Sequence, residues 1–379
     1  MSVSIWEATA PAATPESVLS PFRNRIINGD MRICQRSGET PITISTAAFT
    51  YTLDRWAAYG DAGGSFSVQQ RHDTPPEGHS HFLRVTVLTP DNTLDGVKVY
   101  LLKQAIEGYN IQGFDFGVAT AKQIAVSFKI RGSVPGLYTF ALKNNLHTQN
   151  YLFDVLLEEA GVWEDKIVYV PGETAGPWRW DHESGLELYL CLGASSNWWG
   201  STAVWTSSDF YKSAVSNDLI SNGGATLDIT GVQIEAATVA SEFEYRPIGQ
   251  EISLCFRYYQ RFTEILAPGS EPTAFLNNTS NWDVVNIRWA VQMRAAPVLA
   301  NNDLAAWVAG NPAAGQTAVY NFVANGYGTI TGAFSMAFVN ATKAGTCLRL
   351  TAGTSFSGTN GSAGAWIPGN STIAASAEL

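Results

Sequence analysis

The residues best suited to recognition chemistry lie between Pro177 and Tyr211. Trp178, Trp180, Trp198, Trp199, Trp205 and Tyr211 stand there with Phe210, and Arg179, Asp181, His182, Glu183, Asn197 and Asp209 are interspersed among them. An aromatic ring offers a flat apolar face on which the C–H face of a sugar stacks, and neighbouring carboxylates and amides hydrogen-bond its hydroxyls. The same rings serve equally well to fill a core or a subunit contact, because large aromatics are mostly buried. Two local features place some of them at a ligand or partner surface. Adjacent Trp198 and Trp199 cannot both face inward on a strand, and Trp178 and Trp180 flank Arg179 just after Pro177, in what reads as a loop. The expected binding set is Trp178, Trp180, Asp181, Glu183, Asn197, Trp198, Trp199, Trp205 and Tyr211.

Catalytic and metal chemistry finds weaker support. Asp181 and Glu183 have the residue types of a glycosidase pair, but proximity in sequence does not set two carboxylates across a scissile bond, and solvated loop acids are commoner. His79 and His81 would share one face of a strand, with His72 or an acid as a third ligand, yet Pro75, Pro76 and Gly78 make this stretch a loop. Gly-x-Ser-x-Gly and phosphate-loop spacings are absent. The expectation is therefore no catalytic residue, no metal and no cofactor. Cys34, Cys191, Cys255 and Cys347 are scattered without Cys-x-x-Cys spacing and are expected as free thiols packed like small apolar groups.

Composition narrows the classes further. A formal net charge of -10 opposes nucleic-acid binding and attraction to an anionic membrane, both of which need clustered cations. No apolar run is long enough to span a bilayer, so no membrane insertion is expected. The start MSVSIWEA lacks the basic and apolar regions of a secretory signal, which predicts synthesis in a cytosol. Charged residues make up 15%, against 12% aromatics and 34 glycines, a balance that suits short strands joined by tight turns.

The elements that must position these residues are strands. Ile124, Val126, Phe128 and Ile130 alternate with polar neighbours, as do Tyr138, Phe140 and Leu142, Leu83, Val85 and Val87, and Leu186 to Leu192, with turn signals such as Pro135-Gly136 and Gly223-Gly224 between them. This predicts an all-β chain, with an N-terminal jelly-roll-like antiparallel sandwich over residues 26–247. A connecting segment, 248–262, follows, and then a smaller C-terminal β-sandwich domain, 263–379, poor in charge and expected to be partly buried between copies. Within the latter, Val285, Ile287, Trp289, Val291 and Met293 read as one strand, and 330–339 and 347–351 as others. Residues 1–25 form an extended arm in which Ile5, Trp6, Val18, Leu19 and Phe22 are candidate docking anchors for a partner or for packing on the chain itself. At the junction, the parity of apolar residues switches across Gly231, the mark of a bulge, and Ile248, Ile252, Cys255 and Tyr259 recur at helical spacing after Pro247. Tyr51 to Trp56 reads as structural, with Trp56 in the core and Asp54-Arg55 as a local ion pair or turn contact.

This junction resembles one found in a large family of phage and prophage tail-fibre-like proteins. There, a sugar-binding-module-like sandwich closes with an ITGVQLE-type strand, a phenylalanine-glutamate step and a CxRYY segment. The matching residues are Ile229 to Glu235, Phe243-Glu244, Arg246, and Cys255 with Arg257-Tyr258-Tyr259. Upstream matches are Asn28-Gly29-Asp30, Arg32, Gln35-Arg36, Tyr51 to Trp56, Gln104 to Asn110 and Pro171-Gly172. The resemblance implies a non-enzymatic virion fibre or spike subunit, homotrimeric, made in the host cytoplasm and released in virions by lysis. It would be held to other virion proteins by its arm and would contact a bacterial surface polysaccharide. A polysaccharide depolymerase and a purely structural connector or head decoration are the alternatives.

Overall fold

A computed structural model describes residues 22–262, 273–278, 281–302, 317–321, 326–330, 334–352, 363–366 and 373–379. The anchors Ile5, Trp6, Val18 and Leu19 lie outside them. The first half is built from β1 (Ile42–Ile44), β2 (Thr50–Tyr51), β3 (Ala57–Gly60), β4 (Ser65–Arg71), β5 (Phe82–Thr89), β6 (Val99–Glu107), β7 (Ile124–Gly132), β8 (Gly136–Lys143), β9 (Asn150–Leu157), β10 (Glu164–Val170), β11 (Ser184–Ala194), β12 (Trp205–Thr206) and β13 (Thr226–Ala236). Sheet A runs β1-β4-β5-β13-β7-β10 and sheet B runs β12-β9-β8-β11-β6-β3-β2. Every ladder pairing within them is antiparallel. From β5 to β8 the chain changes sheet at each connection, and it does so again from β9 through β11, the wrapping of a jelly roll.

The alternation seen in the sequence is the inward face of these strands. Ile124, Val126, Phe128 and Ile130 of β7 meet Leu186, Leu188, Leu190 and Leu192 of β11 and Tyr138, Phe140 and Leu142 of β8 in one core. Phe128 and Phe140 join the two sheets with ring centroids 4.6 Å apart. Burying side chains of this size stabilises by roughly 1.5–3 kcal/mol each. Every residue of β11 is buried, because its outward Tyr189 and Cys191 lie beneath a second cluster with Tyr211, against which Trp198 and Phe210 pack.

The junction forms as expected at its start. Gly231 has φ of +63°, a left-handed conformation that glycine adopts without strain, and the β13–β7 register shifts between Thr230 and Gln233. Helix α1 (Gly108–Ile111) follows β6, and α2 (Ile248–Phe256) begins after Pro247, with Cys255 buried and Ile248 largely exposed. Tyr259, expected to continue the helical stripe, instead opens β14 (Tyr259–Phe262).

The family-like motifs lock the junction together. Asn28, itself at φ +57°, donates its amide to the Ile33 and Asp54 carbonyls and accepts from the Ile33 N–H. The Gln104 amide accepts from the N–H of Ile27 and donates to its carbonyl, reproducing a strand pairing with a side chain. Arg257 forks onto Glu107 at 2.7 and 2.8 Å. Residues 22–25, assigned from sequence to the arm, are part of this knot: the N–H groups of Phe22 and Asn24 donate to Glu244, and the Arg25 N–H donates to the Ile234 carbonyl. Asp54 and Arg55 sit in a local turn closed by the Trp56 N–H on the Leu53 carbonyl, but they do not pair with each other: Asp54 accepts from Gln35, while the fully buried Arg55 reaches Glu378, at the far end of the chain.

The described C-terminal residues form a three-stranded sheet and a seven-stranded sheet. The first orders β14, β23 (Ile373–Ser376) and β17 (Val298–Asn302), and all its pairings are antiparallel. The second contains β15 (Thr273–Asn278), β16 (Asn281–Arg288), β18 (Thr317–Asn321), β19 (Gly326–Ile330), β20 (Phe334–Val339), β21 (Gly345–Ala352) and β22 (Ala363–Trp366), in the order β19-β18-β22-β15-β16-β21-β20. The strand expected through Met293 ends at Arg288. Beyond it the alternation of burial continues through Trp289 and Met293, but their backbone N–H groups bond to the 342–344 turn instead of a strand ladder. The run expected over 330–339 divides between β19 and β20. Among the described residues no helix is long and apolar enough to cross a membrane.

Candidate functional site

A cleft of about 370 Å³ opens beside Trp180, at the end of the sandwich where β6 runs into α1. Its wall is built by close backbone approaches. A Cβ on Gly108 would sit 2.4 Å from the Arg179 carbonyl, and the N–H groups of Gly108 and Tyr109 donate to the backbone carbonyls of Glu183 and Asp181, clipping the tryptophan loop to α1. Gly117 (φ +86°) passes 3.0 Å beneath the Trp178 ring on the same measure. Trp180 is 38% exposed over this cleft, with the Gln112 amide, the Asp115 carboxylate and the half-exposed Val118 around it. Gln112 donates weakly to the Trp180 carbonyl at 3.4 Å, and Asp115 is paired with Lys122 at 3.2 Å. An indole face beside an amide and a carboxylate supplies the elements that a polyhydroxylated ring needs.

The other expected site residues divide into three groups. Trp178, 8% exposed, lines the inner wall of the cleft but packs into the core, with its ring edge-on to Phe116 at 4.8 Å and to Trp205 at 5.9 Å and its N–H donating to the Ala175 carbonyl. Trp205 packs on Tyr151 and donates to the Pro171 carbonyl. Trp198, Trp199 and Tyr211 form the cover over the outer side of sheet B. The indole N–H groups of Trp198 and Trp199 donate to the Val97 and Ala194 carbonyls, Asn197 donates to Gly96, and Tyr211 is buried against Trp198. Asp181 and Glu183 face different partners. Arg179 forks onto Asp181 and pulls its carboxyl down to about 2, whereas Glu183 bonds Arg294, 3.2 Å away, at the junction with the C-terminal half.

A charged constellation on the outer side of sheet B was not anticipated from the sequence. The His147 imidazole bridges Glu187 and Asp209 at 3.1 Å each; Lys103 reaches Glu187 at 3.0 Å; and the Lys143 ammonium pairs with Asp209 while standing 3.0 Å above the Tyr211 ring. Asp209, then Glu187, raise His147 to about 9. Burial opposes ionisation of Glu187, but His147 and Lys103 outweigh it and bring the group down to about 2. Burial dominates at Lys143 and lowers it to about 8. The available signal was a charged residue at mid-strand: Lys103, Lys143 and Glu187 interrupt otherwise apolar strands on the outward parity. Gln112 and Asp115 carried no such mark.

Cys34, Cys191 and Cys255 are free thiols; the Cys347 side chain lies outside the described residues. Among the described residues no three His, Cys, Asp or Glu groups gather as metal ligands. No protein family and no curated protein matches the sequence. In structure the chain is similar to an enzymatically active domain of tailspike protein 4 of bacteriophage CBA120, at 10% identity over 57% of this chain and 22% of that one, with a TM-score of 0.30. It is also similar to a family 11 carbohydrate-binding module of a cellulosomal cellulase of Clostridium thermocellum, at 14% identity over 54% and 97% of the two chains, with a TM-score of 0.27. A third likeness is to the module TmCBM61 in complex with β-1,4-galactotriose, at 13% identity over 48% and 88%, with a TM-score of 0.25. Likenesses this slight carry no inference about ligand or activity.

Proposed function

We propose that this protein binds glycan without cleaving it, as a fibre or spike subunit that contacts a bacterial surface polysaccharide. The observation that carries the reading is the exposed Trp180 face over its cleft, flanked by Gln112 and Asp115. A single stacked ring gives affinity of about millimolar, which three copies on a homotrimer would raise through avidity. The trimer, the virion setting and attachment to other virion proteins through residues 1–25 rest on the resemblance of the junction residues and on the weakly charged C-terminal half. The non-catalytic reading rests on the resemblance; of the two carboxylates of the tryptophan loop, Asp181 is held ionised by Arg179 and Glu183 is engaged by Arg294 rather than set across a cleft from it. Incubation with polysaccharide from host cells tests this: retention on the polymer with no new reducing ends is expected, and release of reducing ends would establish the depolymerase instead. Light scattering should give three chains per particle, and a monomer at micromolar concentration would remove the fibre reading.

A further inference from the structure

A second cleft, of about 350 Å³, lies on the outer side of sheet A, on the strands rather than at their ends. The Gly231 bulge lifts β13 out of register with β7, and the ring of His79 lies directly on the glycine, where a Cβ would come within 2.9 Å of it. Phe243 stands edge-on to His79 at 5.2 Å and to Tyr245 at 4.9 Å, so three rings form one wall. Tyr245 is 54% exposed and its hydroxyl is anchored to the Gly78 carbonyl at 2.8 Å. The opposite rim is mixed, with the exposed Ile167 and the Glu242 carboxylate beside polar groups. Lys129 pairs with Asp165 at 2.5 Å and Lys166 with Glu164 at 2.6 Å, and the Ser127 and Ser241 hydroxyls line the space between. Buried Nδ1 of His79 has no hydrogen-bond partner among the described residues.

We propose that this cleft is a second binding site, for an uncharged mono- or disaccharide unit, with the Phe243–Tyr245 wall as its stacking surface. The charge pattern selects the class. Both lysines are already neutralised by carboxylates, so the rim offers no spare cation from a lysine to hold a phosphate or polyanion, while its alternating donors and acceptors suit hydroxyl groups. Burial lowers the affinity of His79 for a proton; its Nε2 faces the Tyr245 hydroxyl at 3.4 Å, so Nδ1 is the ring nitrogen left without a partner. The volume falls at the lower end of small-molecule sites and suits one or two sugar rings. The site stands on its own geometry and does not depend on Trp180.

The test uses the full chain titrated with β-1,4-galactotriose, cellotriose and maltotriose, following saturation transfer to the sugar and the His79 ring resonance, assigned with His79→Gln. At least one sugar should shift the His79 signal and bind Trp180→Ala, and adding Tyr245→Ala to that variant should weaken the remaining binding by about tenfold, the loss of one stacking contact. Tyr245→Phe should keep it. Ile167→Arg, at an exposed position on the rim, should block it by a second route if Tyr245→Ala fails to fold. No shift of the His79 signal by any of the three sugars overturns the proposal, as does a Tyr245→Ala effect below about twofold in the Trp180→Ala background. If Trp180→Ala changes nothing while Tyr245→Ala abolishes binding, the reading of the Trp180 cleft fails and this one stands.

Discussion

Replacing Glu378 by alanine removes the anion on which two guanidinium groups close. Arg55 is 1% exposed; it pairs with Glu378, donates to the Ala105 carbonyl at 2.5 Å and lies 3.4 Å above the Tyr258 ring, while its Nε has no partner. Burial by itself would lower its proton affinity, yet the Glu378 charge reverses the direction and raises it. Arg36, 2.9 Å from the same carboxylate, is better placed to tolerate the loss, since it is partly exposed and keeps a cation–π contact with Tyr259 at 3.7 Å. The cost therefore falls on Arg55, as a buried charge left with one carbonyl and one ring. Breaking a buried pair on one side costs about 3–5 kcal/mol, and Glu378→Gln, which preserves one acceptor oxygen, should cost roughly half of that. Urea unfolding followed by tryptophan fluorescence measures both. A loss below about 1 kcal/mol for Glu378→Ala, the size expected of an exposed pair, would refute the reading of Arg55–Glu378 as a buried ion pair.

Three further expectations follow from particular side chains. His147 is raised to about 9, above its unfolded value, so its contribution is complete below about pH 6.5 and is lost as the pH rises through 9; wild type should lose stability relative to His147→Gln across that window, and parallel pH curves would contradict it. Trp178→Ala should cost about 3–5 kcal/mol as an emptied aromatic core position, whereas Trp180→Ala should stay within about 1 kcal/mol; similar melting temperatures for the two would show that the burial assignment is wrong. Gly231→Ala forces a side chain into a left-handed backbone and against the His79 ring, so it should destabilise by about 1–3 kcal/mol, and a neutral outcome in thermal melts would count against the bulge geometry.

The sandwich strands were legible because each buries one face, and period-two alternation records that directly: Ile124 to Ile130 and Leu186 to Leu192 sit where their parity put them. The bulge at Gly231 was legible for the same reason, since an extra residue reverses parity. Contacts between distant segments left no local trace. Nothing around Arg55 points to Glu378, 323 residues further on, and Asp54 beside it was the obvious but mistaken partner. In the tryptophan-rich stretch, composition marked the rings but not their surroundings. Trp178 and Trp180 are two residues apart and both line the cleft, yet Trp178 is nearly covered by Phe116 and Trp205 while Trp180 stays exposed over it. The residues that complete that cleft, Gln112 and Asp115, come from the loop after α1 and are unremarkable in type. The charged constellation around His147 draws on β6, β8, β11 and two loops, so no single window of sequence contained it.

The central claim is that Trp180 stacks on sugar, and its most direct measurement is adsorption of the full chain to host polysaccharide, compared with Trp180→Ala and Trp198→Ala at matched folding. The account predicts that Trp180→Ala weakens adsorption by about tenfold or more, amplified by avidity if the chain is trimeric, while Trp198→Ala, whose indole is tied to the Val97 carbonyl, has little effect. Undiminished adsorption of a folded Trp180→Ala protein would contradict it.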